Sequence, residues 1–150
     1  MNIELSSEVG FTASLPEGSF VVAESSAGPG SEQISLPGDI LFSMVRDDST
    51  VQSYAAVIEW TEKMASYYST TKKGEKIAEG ALESQGKKCF TSLTLYPHSE
   101  TEPKVAAVTG IRFDSGEFFG LTLLWPVLDL DLEPQIDRVQ RIVDGISLNA

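Results

Sequence analysis

Apolar and polar residues alternate along several short segments of the chain, which is typical of strands with one buried face. Phe11, Ala13 and Leu15 alternate with polar neighbours, and the run ends at a turn signal in residues 16–18. Other apolar runs bounded by turn residues predict strands at 20–22, 40–45, 76–82, 89–96, 104–113 and 118–125. Residues 24–33 have no hydrophobic pattern, and we expect a mobile loop there.

The first predicted helix covers about residues 51–68, because apolar residues repeat there at three and four positions. Its apolar stripe consists of Val51, Tyr54, Ala55, Ile58, Thr61, Met64, Ala65 and Tyr68. Trp60 and Tyr67 lie off the centre of this stripe. A hydroxyl of Ser49 or Thr50 is the expected N-cap, since it can accept from the free N–H groups of the first turn.

A second amphipathic helix is predicted near the end of the chain. It begins at about Pro134, a residue suited to the first helical turn, and its stripe is formed by Ile136, Val139, Val143 and Ile146. The element order is therefore three strands, a helix, four strands and a helix. Short turns between the strands favour antiparallel pairing. We predict a single α+β domain over residues 1–150, with an antiparallel sheet of about six strands flanked by two amphipathic helices.

The charge balance narrows the possible partners. Among 150 residues, 22 are acidic and 11 are basic, which gives a net charge of −11. This balance argues against binding to nucleic acid and against docking on anionic lipid, both of which need clustered Lys and Arg. Residues 1–45 contain no Lys or Arg. The acidic surface is either a solvated face or a means of steering a basic partner.

Residue types that carry catalysis or bind metals are scarce. The chain has one Cys and one His, too few for an intramolecular disulfide or for the common zinc sites. Cys89 falls inside a predicted strand, which favours a buried thiol, and His98 falls in a polar loop. Asp129, Asp131 and Glu133 could attract Ca²⁺, but favourable charge before a helix explains them better. We expect no catalytic residue, no metal and no cofactor.

The sequence also lacks signals for export or membrane insertion. The first eight residues have neither a basic region nor an apolar core of the kind found in signal peptides. The longest apolar stretch, near residues 121–128, is far shorter than the ~20 residues that span a bilayer. We expect a cytoplasmic protein that does not insert into membranes.

Five weak motifs, taken in order, resemble the PsbP-like α/β/α sandwich family and in particular its DcrB-like branch. They are the segment 11–18 (an opening strand that ends in Leu-Pro and an acidic turn), the strand 42–47, the Ser-Tyr pair at Tyr54, the Gly turn at 83–88 and the final helix at 142–148. None is diagnostic alone, and the resemblance rests on their order and spacing over nearly the whole chain.

The resemblance implies a non-enzymatic role. The family includes the Eag chaperones of type VI secretion, which hold apolar segments of effectors in a groove. It therefore implies a chaperone or adaptor that binds an apolar segment of a secreted protein partner, acting as a monomer or homodimer. It also implies candidate groove residues, which are Phe20, Val22, Phe42, Met44 and Ile58. The chain also has more large apolar residues than two short helices can cover. Some of them could therefore line a groove on an uncovered face of the sheet.

The alternative hypothesis is an acidic inhibitor, such as an immunity protein that binds a basic toxin. It rests on the net charge of −11 and the first 45 residues without a base. Binding of this kind would weaken with salt, whereas burial of an apolar segment would depend little on salt.

Overall fold

The computed structural model describes residues 2–22, 31–97, 102–127 and 131–149. In chain order these form β1 (Asn2–Ser6), β2 (Phe11–Pro16), β3 (Phe20–Val21), β4 (Ser31–Leu36), β5 (Ile40–Arg46), α1 (Tyr54–Ser66), β6 (Glu75–Ser84), β7 (Lys87–Pro97), β8 (Pro103–Phe113), β9 (Phe118–Pro126), α2 (Leu132–Asp144) and β10 (Ile146–Leu148). A π-helical turn, Tyr67–Thr71, continues α1.

The strands form two antiparallel sheets. The large sheet has the order β3-β4-β5-β9-β8-β7-β6, and the small sheet has the order β1-β2-β10. Tight turns join β6 to β7 and β8 to β9, and Gly86 and Gly116 supply the positive φ that those turns require (73° and 107°). The α+β class and the antiparallel sheet with two helices are confirmed, with seven strands in the large sheet where we expected about six.

The main core lies between the large sheet and the small one. Phe11 of β2 packs on Phe42 of β5 and on Phe119 of β9, with ring centroids 5.9 and 5.7 Å apart. Val139 and Val143 of α2 join the same buried cluster. One face of the large sheet is therefore covered by the small sheet and α2 together.

Helix α1 packs on the opposite face of the large sheet, over β7 and β8. Its N-cap is Ser53, whose side chain accepts a hydrogen bond from the Ala56 N–H at 3.1 Å. Val57 and Thr61 approach Gly110 of β8 closely: a Cβ at Gly110 would lie 2.7 Å from Val57 Cγ1 and 2.8 Å from Thr61 Oγ1. A residue without a side chain thus lets the helix lie directly on the strand.

Several sequence predictions are corrected. The first helix begins at Tyr54, so its N-cap is Ser53 and not Ser49 or Thr50. Strands β1, β4 and β10 were not predicted; β4 includes residues 31–33 of the expected loop, whereas 24–30 lie outside the described residues. Ile146 belongs to β10 and not to the final helix, because α2 ends before Gly145.

Candidate partner-binding face

Helix α1 covers only part of its side of the large sheet. Residues that are directly paired on neighbouring strands have side chains on the same side of a sheet. Gly110 and Gly120, which both lie under α1, are paired, and Gly120 is paired with Val45 of β5, so Val45 lies on the α1 side. We call the uncovered part on β3, β4, β5 and β9 the open face. Its side chains come from Phe20, Val22, Ser31, Gln33, Ser35, Leu41, Ser43, Val45, Thr122 and Leu124.

One side of α1 forms a wall beside the open face. Trp60 lies over Gly120 of β9, where a Cβ would overlap the indole ring, and its ring packs edge-on against Phe118 at 5.2 Å. Met64 and Tyr67 follow Trp60 by four and seven residues, a spacing that places them on the same side of a helix. Their side chains are 42% and 46% exposed.

A large apolar side chain also stands on the opposite edge of the open face. Phe20 of β3 is 60% exposed and shares a row with Ser35, Leu41 and Leu124 through three consecutive strand pairings. Three strand spacings of about 4.8 Å separate β3 from β9 by roughly 14 Å. An α-helix with its side chains is about 10 Å across, so the open face has room for one helix or for an extended segment.

The floor between these two edges is uncharged. Its side chains, taken from the part of the chain that the structure describes, are small, polar or aliphatic: Ser31, Gln33, Ser35, Leu41, Ser43, Val45, Thr122 and Leu124, and each of them is half-buried. Leu41, Val45 and Leu124 supply the aliphatic part. Such a floor accepts an apolar segment without burying an unpaired charge.

A cluster of tyrosines follows the open face where α1 ends. The Tyr68 ring lies 5.1 Å from that of Tyr67 and 5.2 Å from that of Tyr96. Burial, followed by the neighbouring hydroxyls of Tyr96 and Tyr67, raises the pKa of Tyr68 to about 12. Lys72 lies 5.8 Å above the Tyr67 ring. The rings of this cluster extend the apolar wall.

The structure places only two of the five predicted groove residues on the open face. Phe20 and Val22 are there. Phe42 and Met44 point to the opposite side of β5 and are fully buried against the small sheet, so they cannot line an exposed groove. Ile58 lies on the other side of α1, because Tyr54, one turn earlier, donates its hydroxyl to the Cys89 carbonyl of β7.

Six residues of the candidate site were missed at the sequence level: Leu41, Val45, Trp60, Met64, Tyr67 and Leu124. One usable signal existed. Trp60 and Tyr67 lie off the centre of the helical stripe, which is where residues that border a neighbouring surface belong. For β5 no signal existed, because apolar residues occupy both of its faces and alternation cannot assign them.

The residues that the sequence offered as candidates for catalysis or metal binding form no such site among the described residues. Cys89 is buried, as expected, and burial raises the pKa of its thiol to about 12, opposed by Lys87 and aided by Asp144. His98 and Asp129 lie outside the described residues, Asp131 is the N-cap position of α2, and Glu133 is in its first turn. Within the described ranges, no three His, Cys, Asp or Glu side chains form a metal-binding group.

Two further observations concern surfaces. No helix in the described part of the chain has the length and apolar character needed to cross a bilayer.

The acidic residues that the structure describes among the first 45 positions lie away from the open face. Glu4, Glu8, Glu17 and Asp39 are exposed on the small sheet or at turns, and the side chain of Glu32 is on the opposite side of β4. A basic partner and an apolar partner would therefore use different surfaces.

Solved structures share this architecture at low sequence identity. No protein-family model matches the sequence, and the comparison with curated proteins found no match. The fold is that of PsbP and Mog1. The Ran-binding protein Mog1p of Saccharomyces cerevisiae is 14% identical over 99% of this chain and 95% of that one, with a TM-score of 0.64. A point mutant of Mog1 is also 14% identical, over 99% of this chain and 96% of that one, with a TM-score of 0.65.

The PsbP side of this likeness comes from a cyanobacterial protein. Cyanobacterial PsbP (CyanoP) from Synechocystis is 13% identical over 99% of this chain and 92% of that one, with a TM-score of 0.63. The PsbP-like fold predicted from the motifs is confirmed. At this level of identity the likeness establishes the fold and leaves the function to be argued from the site.

Proposed function

We propose that this chain is a non-catalytic protein-binding domain that holds an apolar segment of a partner on the open face. One observation carries the proposal: Phe20 on one edge and Met64 with Tyr67 on the other are exposed above an uncharged floor. Burial of apolar surface contributes about 25 cal/mol per Å². Large exposed apolar side chains grouped around a groove are typical of interaction sites.

The most specific form of the proposal is a chaperone or adaptor of the DcrB-like type for an apolar segment of a secreted protein. Its support is the order of the five motifs and the size of the open face. The yeast protein of this fold is a Ran-binding protein, so binding a protein is one use of the fold. The type VI secretion context and the cytoplasmic location remain predictions.

The test is a pull-down from the native host with the full chain, a Phe20→Glu/Met64→Glu variant and a Leu132→Glu control. Leu132 is also exposed (39%), but it belongs to α2 on the other side of the sheet. We expect one partner that stays bound in about 1 M salt, where the screening length is about 3 Å, and that the double variant loses. Equal capture by the double variant and the control would refute the open face as the binding site.

The second candidate function, an acidic inhibitor of a basic protein, is supported by the net charge of −11 and the exposed Glu4, Glu8, Glu17 and Asp39. Its partner would be basic and released by high salt, and the Phe20→Glu/Met64→Glu variant would still bind it. The same pull-down therefore separates the two functions.

A further inference from the structure

A second concave site lies on the opposite side of the molecule from the open face. It is a cleft of about 960 Å³ between α2 and the strands β1, β2, β4 and β5. Leu36, Ile40 and Ile142 provide apolar walls, and Ser14 contributes a hydroxyl. Polar and charged side chains, among them Asn2, Asp137 and Arg141, line the rest of the cleft. A cavity of this size can hold a small ligand.

Two arginines of α2 line this cleft three residues apart, which puts them on one side of the helix. Neither Arg138 nor Arg141 has a hydrogen bond or ion pair with any described residue, although the chain has twice as many acids as bases. Glu133 and Asp137 line the same cleft without pairing with them. The N–H donors of both guanidinium groups are therefore available to a ligand.

One of the two guanidinium groups is held in place. Arg138 lies 5.2 Å above the ring of Trp125, whose indole N–H donates to the Gln135 side chain. Stacking engages the flat face of a guanidinium and leaves its N–H groups for an acceptor. Loss of hydration by packing, followed by the like charge of Arg141, lowers the pKa of Arg138. An anion between the two groups would relieve that repulsion.

We propose that this cleft binds a monoanionic carboxylate attached to an apolar group, with Arg138 and Arg141 as the carboxylate ligands. Two guanidinium groups supply the paired donors that a carboxylate accepts. Glu133 and Asp137 also line the cleft, and their repulsion is about twice as large for a doubly charged phosphate as for a monoanion, which favours the carboxylate of the two. The apolar body of the ligand would lie on Leu36, Ile40 and Ile142. The proposal does not depend on the open face.

Isothermal titration calorimetry on the full chain tests it with two carboxylates, each matched to a neutral amide. Hexanoate against hexanamide represents a free fatty acid, and N-acetyl-leucyl-leucine against its C-terminal amide represents a peptide terminus. We expect the acid to bind at least about tenfold more tightly than its amide, because hydrogen bonds between two charged groups are stronger than those to a neutral amide. The tighter of the two acids identifies the source of the carboxylate.

Variants connect the binding to the arginines. Arg141→Gln, an exposed change, and Arg138→Gln should each weaken the acid by about tenfold and leave the amide unchanged, while Lys88→Gln on β7 should leave both unchanged. Circular dichroism confirms that each variant is folded. Equal affinity for acid and amide, unchanged acid binding in Arg141→Gln, or no binding of either carboxylate would overturn the proposal.

Discussion

The indole of Trp60 occupies the space above Gly120 that a side chain at that position would need. The contact joins the middle of α1 to β9, the strand at which the open face begins. Through Trp60 the thirteen-residue helix α1 therefore borders the open face, although it covers none of β3, β4 or β5.

Gly120→Ala should therefore destabilise the protein by about 1–3 kcal/mol, because its Cβ would overlap the indole and force Trp60 to move. Urea unfolding followed by tryptophan fluorescence measures both effects. Gly80→Ala is the matched control: it lies in strand β6 with nothing within 4 Å of the new Cβ, and we expect a change below about 1 kcal/mol. Equal effects at the two glycines would contradict the contact.

The two faces of β5 should respond very differently to truncation. Phe42 is fully buried between the sheets, so Phe42→Ala should cost about 3–5 kcal/mol of unfolding free energy. Leu41, its neighbour on the open face, is half-buried, and Leu41→Ala should cost clearly less, about 1 kcal/mol. Chemical denaturation of both variants tests this difference. A larger loss at Leu41 than at Phe42 would mean that the faces are assigned the wrong way round.

The same strand shows how far sequence reasoning reaches. The run 40–45 predicted β5 correctly, and the alternation around Phe11 predicted β2, because a half-buried strand has a period of two. The facing of Phe42 and Met44 could not be predicted, because apolar residues on both sides of β5 leave no period to read. Short β1 and β10 both pair with β2, and for β10 this contact joins the two ends of the described chain, so the local sequence pattern does not contain it.

Cys89 should be inert in the folded protein. Burial raises the pKa of its thiol from 9.0 to about 12, so almost no thiolate exists at pH 8. We expect Ellman's reagent to label native protein only as fast as it unfolds, and to label urea-unfolded protein at once. Rapid labelling of the native state would contradict the burial of this residue.

The same shift gives a pH dependence with a defined sign. Between pH 9.0 and about 12 the folded state holds the Cys89 proton more firmly than the unfolded state, so this residue's contribution to stability falls as pH rises. Cys89→Ala removes the titrating group. Stability of the variant, measured by urea unfolding from pH 8 to pH 10.5, should decline less steeply than that of the wild type, and parallel curves would refute the prediction.

Lys87 should anchor the end of α2 to the large sheet. Its ammonium donates to the Val143 carbonyl at 2.8 Å and to Ser84 Oγ at 3.1 Å, and it lies 5.9 Å from the Phe113 ring. Lys87→Ala leaves a helix carbonyl without this donor and should cost about 1–3 kcal/mol. The adjacent, exposed Lys88→Ala should change stability by less than about 0.5 kcal/mol. Thermal and urea unfolding of the pair decide this.

The small sheet brings the two ends of the described chain to one side of the molecule. Strand β2 lies between β1 and β10, and Asn149 donates its side-chain amide to the Ser7 carbonyl and its backbone N–H to that of Gly10. Both ends thus lie behind the large sheet, across from α1. A fluorescent protein or affinity label fused at either end would leave the open face unobstructed.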